Sequence, residues 1–241
     1  MLFNPSLYPG FFLIALGVIF SIWKQKLTPA AAITGACCGL IIYAGSGYTG
    51  LLLLTAFFMM GTLATGIGRA DKQSFERRED QVQRNPAQVL ANAGMATLLA
   101  LLAFLFPVHA AVFQLMLAAS IASATADTLS SELGMLYGRS FYNCITWRKE
   151  SRGLDGAVSL EGTMLGIAGA IVIAIMYSIG FGWDISNFMI IVLAAVVGNF
   201  ADSLLGALLE RRRYLGNDAV NFLSTLVASI FCLLINYMIT V

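Results

Sequence analysis

The sequence predicts an all-α protein, a polytopic bundle of membrane-spanning helices. Three observations carry this. Only 11% of the 241 residues are charged and 59% are hydrophobic, whereas about a quarter of an ordinary soluble domain is charged. A mean hydropathy of +0.81 leaves too little polar surface to cover a soluble domain. The apolar residues also gather into runs of about 20, the length a helix needs to cross the hydrocarbon core.

Those runs stand near 7–23, 28–45, 48–66, 88–106, 108–134, 157–180, 185–209 and 219–240, giving about eight spans in a single membrane domain, 1–241. The links at 45–47, 107–109 and 182–186 are short and nearly uncharged. The other four links hold all 14 Lys and Arg residues: Lys24 and Lys26; Arg69, Lys72, Arg77, Arg78 and Arg84; Arg139, Arg148, Lys149 and Arg152; and Arg211, Arg212 and Arg213. With eight spans these four links share one face, and basic links stay cytoplasmic. A multi-pass protein of the cell membrane is expected, with both termini outside. The partition also tests the count, because one helix more or fewer would scatter the basic links over both faces. No basic segment precedes the first run, and Lys24 and Lys26 follow it, which suits a retained anchor better than a cleaved leader.

Cys37, Cys38, Cys144 and Cys232 form no C-x-x-C pair and no metal-ligand spacing. Three lie in apolar runs, where Cys behaves as a small hydrophobe, so no disulfide framework is expected. His109 is the one histidine, and it stands alone in a short link.

Carboxylates inside or at the rim of apolar spans are costly, which makes them site candidates. Asp127 closes the apolar run 113–126 and opens Asp127-Thr128-Leu129-Ser130-Ser131-Glu132-Leu133-Gly134. At helical spacing Asp127, Ser131, Gly134 and Gly138 share a face, with Ser123 a turn earlier. Helix packing accounts for the small residues but leaves the acid unexplained.

The same pattern returns downstream. Ala126-Asp127-Thr128-Leu129 has a counterpart in Ala201-Asp202-Ser203-Leu204, with Ser123 matching Gly198 and Ser131 matching Gly206. After each acid come a basic link and a further matching stretch, 155–163 against 217–225, with identities at Ala157/Ala219, Val158/Val220 and Thr163/Thr225. This reads as a degenerate internal repeat, 108–163 and 185–225. Both units cross in the same direction, so the repeat is parallel.

The expected cytoplasmic rim thus carries three chemical parts. Asp127, Glu132 and Asp202 are hard oxygen ligands that suit Mg²⁺. Arg148, Lys149 and Arg152 suit phosphate charge, although for each basic residue topology alone is a sufficient reason. The triplet Arg211–Arg213 suits anionic head groups. The segment Gly153–Thr163, within and after the site loop 139–156, is rich in small residues and leads into a helix, whose N-terminal amides can cradle an anion. These parts suit phosphate chemistry beside a bilayer, where positioning and charge neutralisation do most of the work. The loop 67–87 carries five bases and four acids between Arg69 and Arg84 and reads as a solvated surface element. No P-loop, kinase glycine loop or G-x-S-x-G occurs, and nucleic acid is not expected as a partner.

Ala-Asp-Thr-Leu-Ser-Ser-Glu-Leu-Gly (126–134), Asp-Gly-Ala-Val-Ser-Leu-Glu-Gly-Thr (155–163), Ala-Asp-Ser-Leu-Leu-Gly-Ala (201–207) and Gln-Val-Leu-Ala-Asn (88–92) together resemble an integral-membrane family of largely unknown function. It includes the plant phytyl-phosphate kinase of vitamin E synthesis and the animal transmembrane protein nineteen. The resemblance runs from about residue 55 to the C-terminus. It implies a CTP-dependent kinase that converts a prenyl or phytyl monophosphate to the diphosphate, with Mg²⁺ as probable cofactor. It further implies a distant likeness to lipid-phosphate cytidylyltransferases. Carried over residue by residue, it assigns Asp127, Ser131, Glu132 and Gly134 to the first acidic motif. Gly153, Asp155, Gly156, Ser159, Gly162 and Thr163 fall in the glycine-rich motif, and Asp202, Ser203 and Gly206 in the second acidic motif. Asn92 follows the basic loop. Leu154 and Ala157 depart from the pattern, standing where the family tends to carry Thr and a second Gly.

On this reading Asp127 and Asp202 bind metal, Glu132 binds metal or orients groups, and Arg148 or Lys149 takes phosphate charge. A cytidylyltransferase is the neighbouring alternative. A transporter or flippase and a non-catalytic scaffold are the alternatives from other classes, and acids near one rim argue against a transport site at the midplane.

Overall fold

A computed structural model describes residues 8–68, 72 and 83–240. Most of the 67–87 loop, with Arg69, Arg77 and Arg78, lies outside the described residues. The described helices are α1 (Tyr8–Trp23), α2 (Pro29–Gly66), α3 (Pro86–Leu105), α4 (Ala110–Tyr137), α5 (Leu160–Phe181), α6 (Ile185–Leu205) and α7 (Asn217–Thr240).

Six helical segments are long and apolar enough to cross a membrane, and α1 is a shorter apolar helix of 16 residues. The 38-residue α2 is two arms, 29–46 and 48–66, joined at Gly47, whose φ of 60° and ψ of −154° leave the helical region. Only glycine takes such angles without strain. The arms fold back on each other: a Cβ on Gly39 would sit 3.6 Å from Leu51 Cδ1, whereas twelve residues of straight helix span about 18 Å. Counting the arms separately gives eight apolar segments, in agreement with the sequence runs. Local chemistry fixes the starts. Thr28 caps α2 ahead of Pro29. Asn85 and Gln88 form a reciprocal capping box ahead of α3, with Pro86 in the first turn.

Contacts between links define the two ends of the bundle. At one end the carbonyl of Gly45 accepts from Gln114 Nε2 at 2.9 Å, and Gly180 packs on Thr49. At the other, Thr28 N donates to Arg84 O and Arg84 N to Lys26 O; Lys72 meets Glu132 and Arg211 meets Glu150. The described lysines and arginines therefore collect at one end, as the positive-inside partition requires.

Helix α4 is the axis. It packs against α2, α3, α5, α6 and α7, and every residue from Leu115 to Ala126 is buried. Such all-round burial is what an apolar helix without a polar face should show. Against α5 the approach is backbone to backbone: a Cβ on Gly134 would lie 3.0 Å from Gly162 Cα, and one on Gly162 would lie 2.7 Å from Ser130 O. Small residues permit this closeness.

The all-α expectation needs one local amendment. In the 139–156 link and just beyond, Tyr142–Asn143 pairs antiparallel with Ala157–Val158. Asn143 Oδ1 accepts from the amides of Ile145 and Thr146, each at 3.0 Å, and so shapes the turn between them. All four cysteines are free thiols.

Candidate functional site

The site is built on α4 and α6 at the basic end. Ser123 on α4 and Gly198 on α6 touch, Ser123 Oγ filling the place of a side chain on Gly198. These are equivalent positions of the internal repeat. Equivalent residues meet where a two-fold axis passes between repeats, and for a parallel repeat that axis runs along the membrane normal. The neighbours agree, since α4 and α6 each pack on both α5 and α7. Asp127 and Asp202 both follow this contact by four residues, about one turn or 6 Å toward the basic end. Register thus puts the two carboxylates at corresponding levels on neighbouring helices. Both residues are partly buried, and Oδ1 of Asp202 is shielded from solvent.

A second tie joins the same helices. Asn199 Nδ2 donates to Ser130 Oγ at 2.8 Å, and Gly166 of α5 leaves room for both groups. Asn199 was not singled out from sequence. Its signal is a carboxamide in an apolar run, three residues before Asp202.

The glycine-rich segment packs onto the C-terminal end of α6. Gly153 and Gly156 have φ of 79° and 78°, and Gly156 lies against Ser203 O and Ala207. Asp155 and Gly156 together cover Gly206. Cys144 holds the other side, its buried thiol donating to Ser203 O at 3.3 Å. At Gly206 the helix widens into one π-turn, Gly206–Glu210, closed by Arg211 N donating to Gly206 O. Arg211 is thereby delivered to the loop. Its Nη1 and Nη2 donate to Glu150 Oε1 and Oε2 at 2.6 and 3.0 Å, and Nη2 also donates to Asp155 O. The guanidinium holds the Glu150 carboxyl below its ordinary range, with Asn143 Nδ2 assisting, while Glu150 raises Arg211. Three of the four motifs quoted from the sequence therefore meet: Gly134 on Gly162, and Gly156 on Ser203 and Ala207.

Several expected ligand-binding groups have local partners. Ser159 caps α5, its Oγ accepting from Gly162 N at 3.1 Å, and Thr163 Oγ1 donates to Ser159 O at 3.0 Å. Ser131 Oγ donates to Thr128 O, and Ser203 Oγ to Asn199 O. Arg152 Nη2 donates to Gly138 O at 2.7 Å at the end of α4, with its guanidinium over the Phe141 ring. Arg148 and Lys149 are exposed in the hairpin. Asn92 Nδ2 donates to Gln88 O at 3.0 Å on the first turns of α3.

Glu132 sits away from the α4–α6 contact, beside the second arm of α2. It takes Lys72 Nζ at 2.6 Å and Thr65 Oγ1 at 3.0 Å, while Lys72 also donates to Ala64 O at 2.7 Å. Among the described residues, no three His, Cys, Asp or Glu side chains converge as a metal set. Lys72 is only 5% exposed, so the reading of its loop as purely solvated is corrected at this residue. Arg84 corrects it again. Its guanidinium lies against Gly61, where a Cβ would be 3.3 Å from Nη2 and 3.4 Å from Thr128 Cγ2. Burial pushes the Arg84 pKa down, and Glu132 opposes that shift. A cation in a mixed-charge loop looks solvated in sequence, because the carboxylate that acts on it, Glu132, is 48 residues away.

Fold and motifs together define a multi-pass helical membrane protein with its polar groups gathered at the basic end. The chain belongs to the family described as integral membrane protein DUF92, whose model matches residues 12–229. It is 36% identical over 212 residues to an uncharacterised membrane protein of Methanocaldococcus jannaschii, covering 88% of this chain and 87% of that one. An uncharacterised membrane protein of Synechocystis is 34% identical, over 90% of this chain and 85% of its own. Protein VTE6, chloroplastic, of Arabidopsis thaliana is 30% identical, over 83% of this chain and 62% of its own. No solved structure matches.

Proposed function

We propose that the protein is a membrane-embedded phosphotransferase that uses CTP to convert a prenyl or phytyl monophosphate to the diphosphate, working from the cytoplasmic rim. The observation that carries this reading is the meeting of two acid-bearing helices and the glycine-rich segment at one basic end of the bundle. The family resemblance and the match to VTE6 support the same activity.

The donor set fits Mg²⁺. Asp127 and Asp202 offer two carboxylates, and Mg²⁺ usually takes one or two with water and substrate phosphates for the rest. Those two residues would hold it, and when bound it would neutralise triphosphate charge. Gly153 would let the backbone come close to an anion, and Arg148 and Lys149, exposed in the same loop, would supply positive charge. In the reaction a terminal oxygen of the lipid phosphate attacks the γ-phosphorus of CTP. The new P–O bond forms as the bond to the β–γ bridging oxygen breaks, and CDP leaves with the electron pair. The nucleophile is already an anion, so no side-chain base is required.

Product identity tests the reading. Detergent-purified protein with Mg²⁺, CTP and a panel of prenyl and phytyl monophosphates should yield lipid diphosphate and CDP by mass. A CDP-lipid with released diphosphate would instead make it a cytidylyltransferase.

A further inference from the structure

A cavity of about 280 Å³ lies between α1, both arms of α2 and the start of α3. Its walls are apolar along most of the length, with Ile14 and Val18 from α1 and Leu51 and Phe58 from α2. At the basic end it is bordered by Arg84, Gln88 and Asn92. In a bilayer an apolar groove alone attracts any lipid tail; the polar end is what makes this one selective. Arg84 also stands beside Thr128, the residue after Asp127, so the polar end adjoins the acid-bearing helix.

We propose that this cavity binds the hydrocarbon chain of a single-chain isoprenoid monophosphate, with the phosphate at Arg84 and Asn92 and the tail running between α1 and α2. The assignment rests on the kinase reading above and names where its lipid substrate lies. A guanidinium suits phosphate recognition because its donors match the oxygens as a fork. The volume is near the lower end of the roughly 300–1,000 Å³ usual for small-ligand sites, which suits one chain and not two. The space is made by glycines: Gly17 and Gly35 line the cavity, and a Cβ on either would meet nothing within 4 Å. Larger side chains there build into open space, so chain length can be read by filling it without disturbing the helices.

The test is photolabelling of the full-length protein in phosphatidylcholine nanodiscs, using geranylgeranyl monophosphate with a terminal diazirine. Adducts are expected within 13–18 and 51–58. Gly17→Leu and Gly35→Leu should each lower them at least tenfold at unchanged Tm. Unlabelled geranylgeranyl monophosphate should compete at least tenfold better than geranylgeraniol, and Arg84→Gln should erase that difference. Adducts confined to other segments, labelling undiminished in both Leu variants, or equal competition by the alcohol or by a diacyl phosphatidate would overturn the assignment. Turnover is measured separately. Lipid diphosphate formed without cavity labelling would sink this proposal and leave the kinase standing, whereas cavity labelling without turnover of any donor would do the reverse.

Discussion

Ser123 Oγ occupies the space that a side chain on Gly198 would fill, so the two halves of the internal repeat touch through equivalent positions. The contact sets the level of the site, since Asp127 and Asp202 each follow it by one helical turn. A branched side chain at Gly198 must push α4 and α6 apart. Gly198→Val should cost about 1–3 kcal/mol, the usual penalty of overpacking. Thermal unfolding in detergent would show it, and turnover should fall further than stability explains. An unchanged Tm and rate would mean that the helices are not held together here.

The Lys72–Glu132 pair gives a second expectation. Lys72 is almost wholly enclosed, and Glu132→Gln removes the carboxylate paired with its charge. Breaking such a pair costs about 3 kcal/mol, the low end for buried pairs because Glu132 keeps some solvent contact. The double variant Glu132→Gln with Lys72→Met should recover most of the loss. If Glu132→Gln keeps its Tm and loses only turnover, Glu132 is a ligand of the reaction and not a structural anion.

Acid should release the site loop. The Glu150 pKa is lowered in the folded protein, chiefly by hydrogen bonding from Arg211. A lowered folded-state pKa contributes stability that is complete above the unfolded value, about 4.3, and is lost as pH falls through the folded value. Amide exchange across 142–158 should therefore be steady from neutral pH to about pH 5 after correction for intrinsic rates, and protection should drop below about pH 4. Glu150→Gln should lower protection at neutral pH and abolish the acid step. An acid step that persists in that variant would assign it to another carboxylate.

Gly156 tests how the glycine-rich segment is seated. Its φ of 78° disfavours any side chain, and a Cβ would run into Ala207. Gly156→Ala should free the segment from α6 at about 1–3 kcal/mol, seen as faster exchange over 153–158 with the spans unaffected. Gly153→Ala meets the same unfavourable φ, 79°, and should also loosen the segment.

The fold was legible where physics acts locally. Apolar runs of spanning length, Gly47 between two of them and the four basic links suffice to place eight segments and sort their ends. The acids of the candidate site stood out because a carboxylate in an apolar run is costly and rare. What stayed hidden depends on pairing across long separations. Nothing near Lys72 or Arg84 announces Glu132, and nothing near Arg211 announces Glu150. The roles of Gly134 and Gly162 were obscured for a related reason: a glycine that receives a neighbouring backbone and one that receives a phosphate look alike in sequence, and here each receives the other's helix.

On the proposed mechanism, Asp127 and Asp202 serve one phosphoryl-transfer centre. The most direct measurement is the initial rate of lipid diphosphate formation from CTP and Mg²⁺ by wild type, Asp127→Asn, Asp202→Asn and the double variant, all of matched Tm. Each single variant is expected to lose about 100-fold or more, with the double variant scarcely slower than either, because groups acting as a unit are not additive. Single variants that keep the wild-type rate, or a well-folded wild type that turns over no nucleotide, would contradict it.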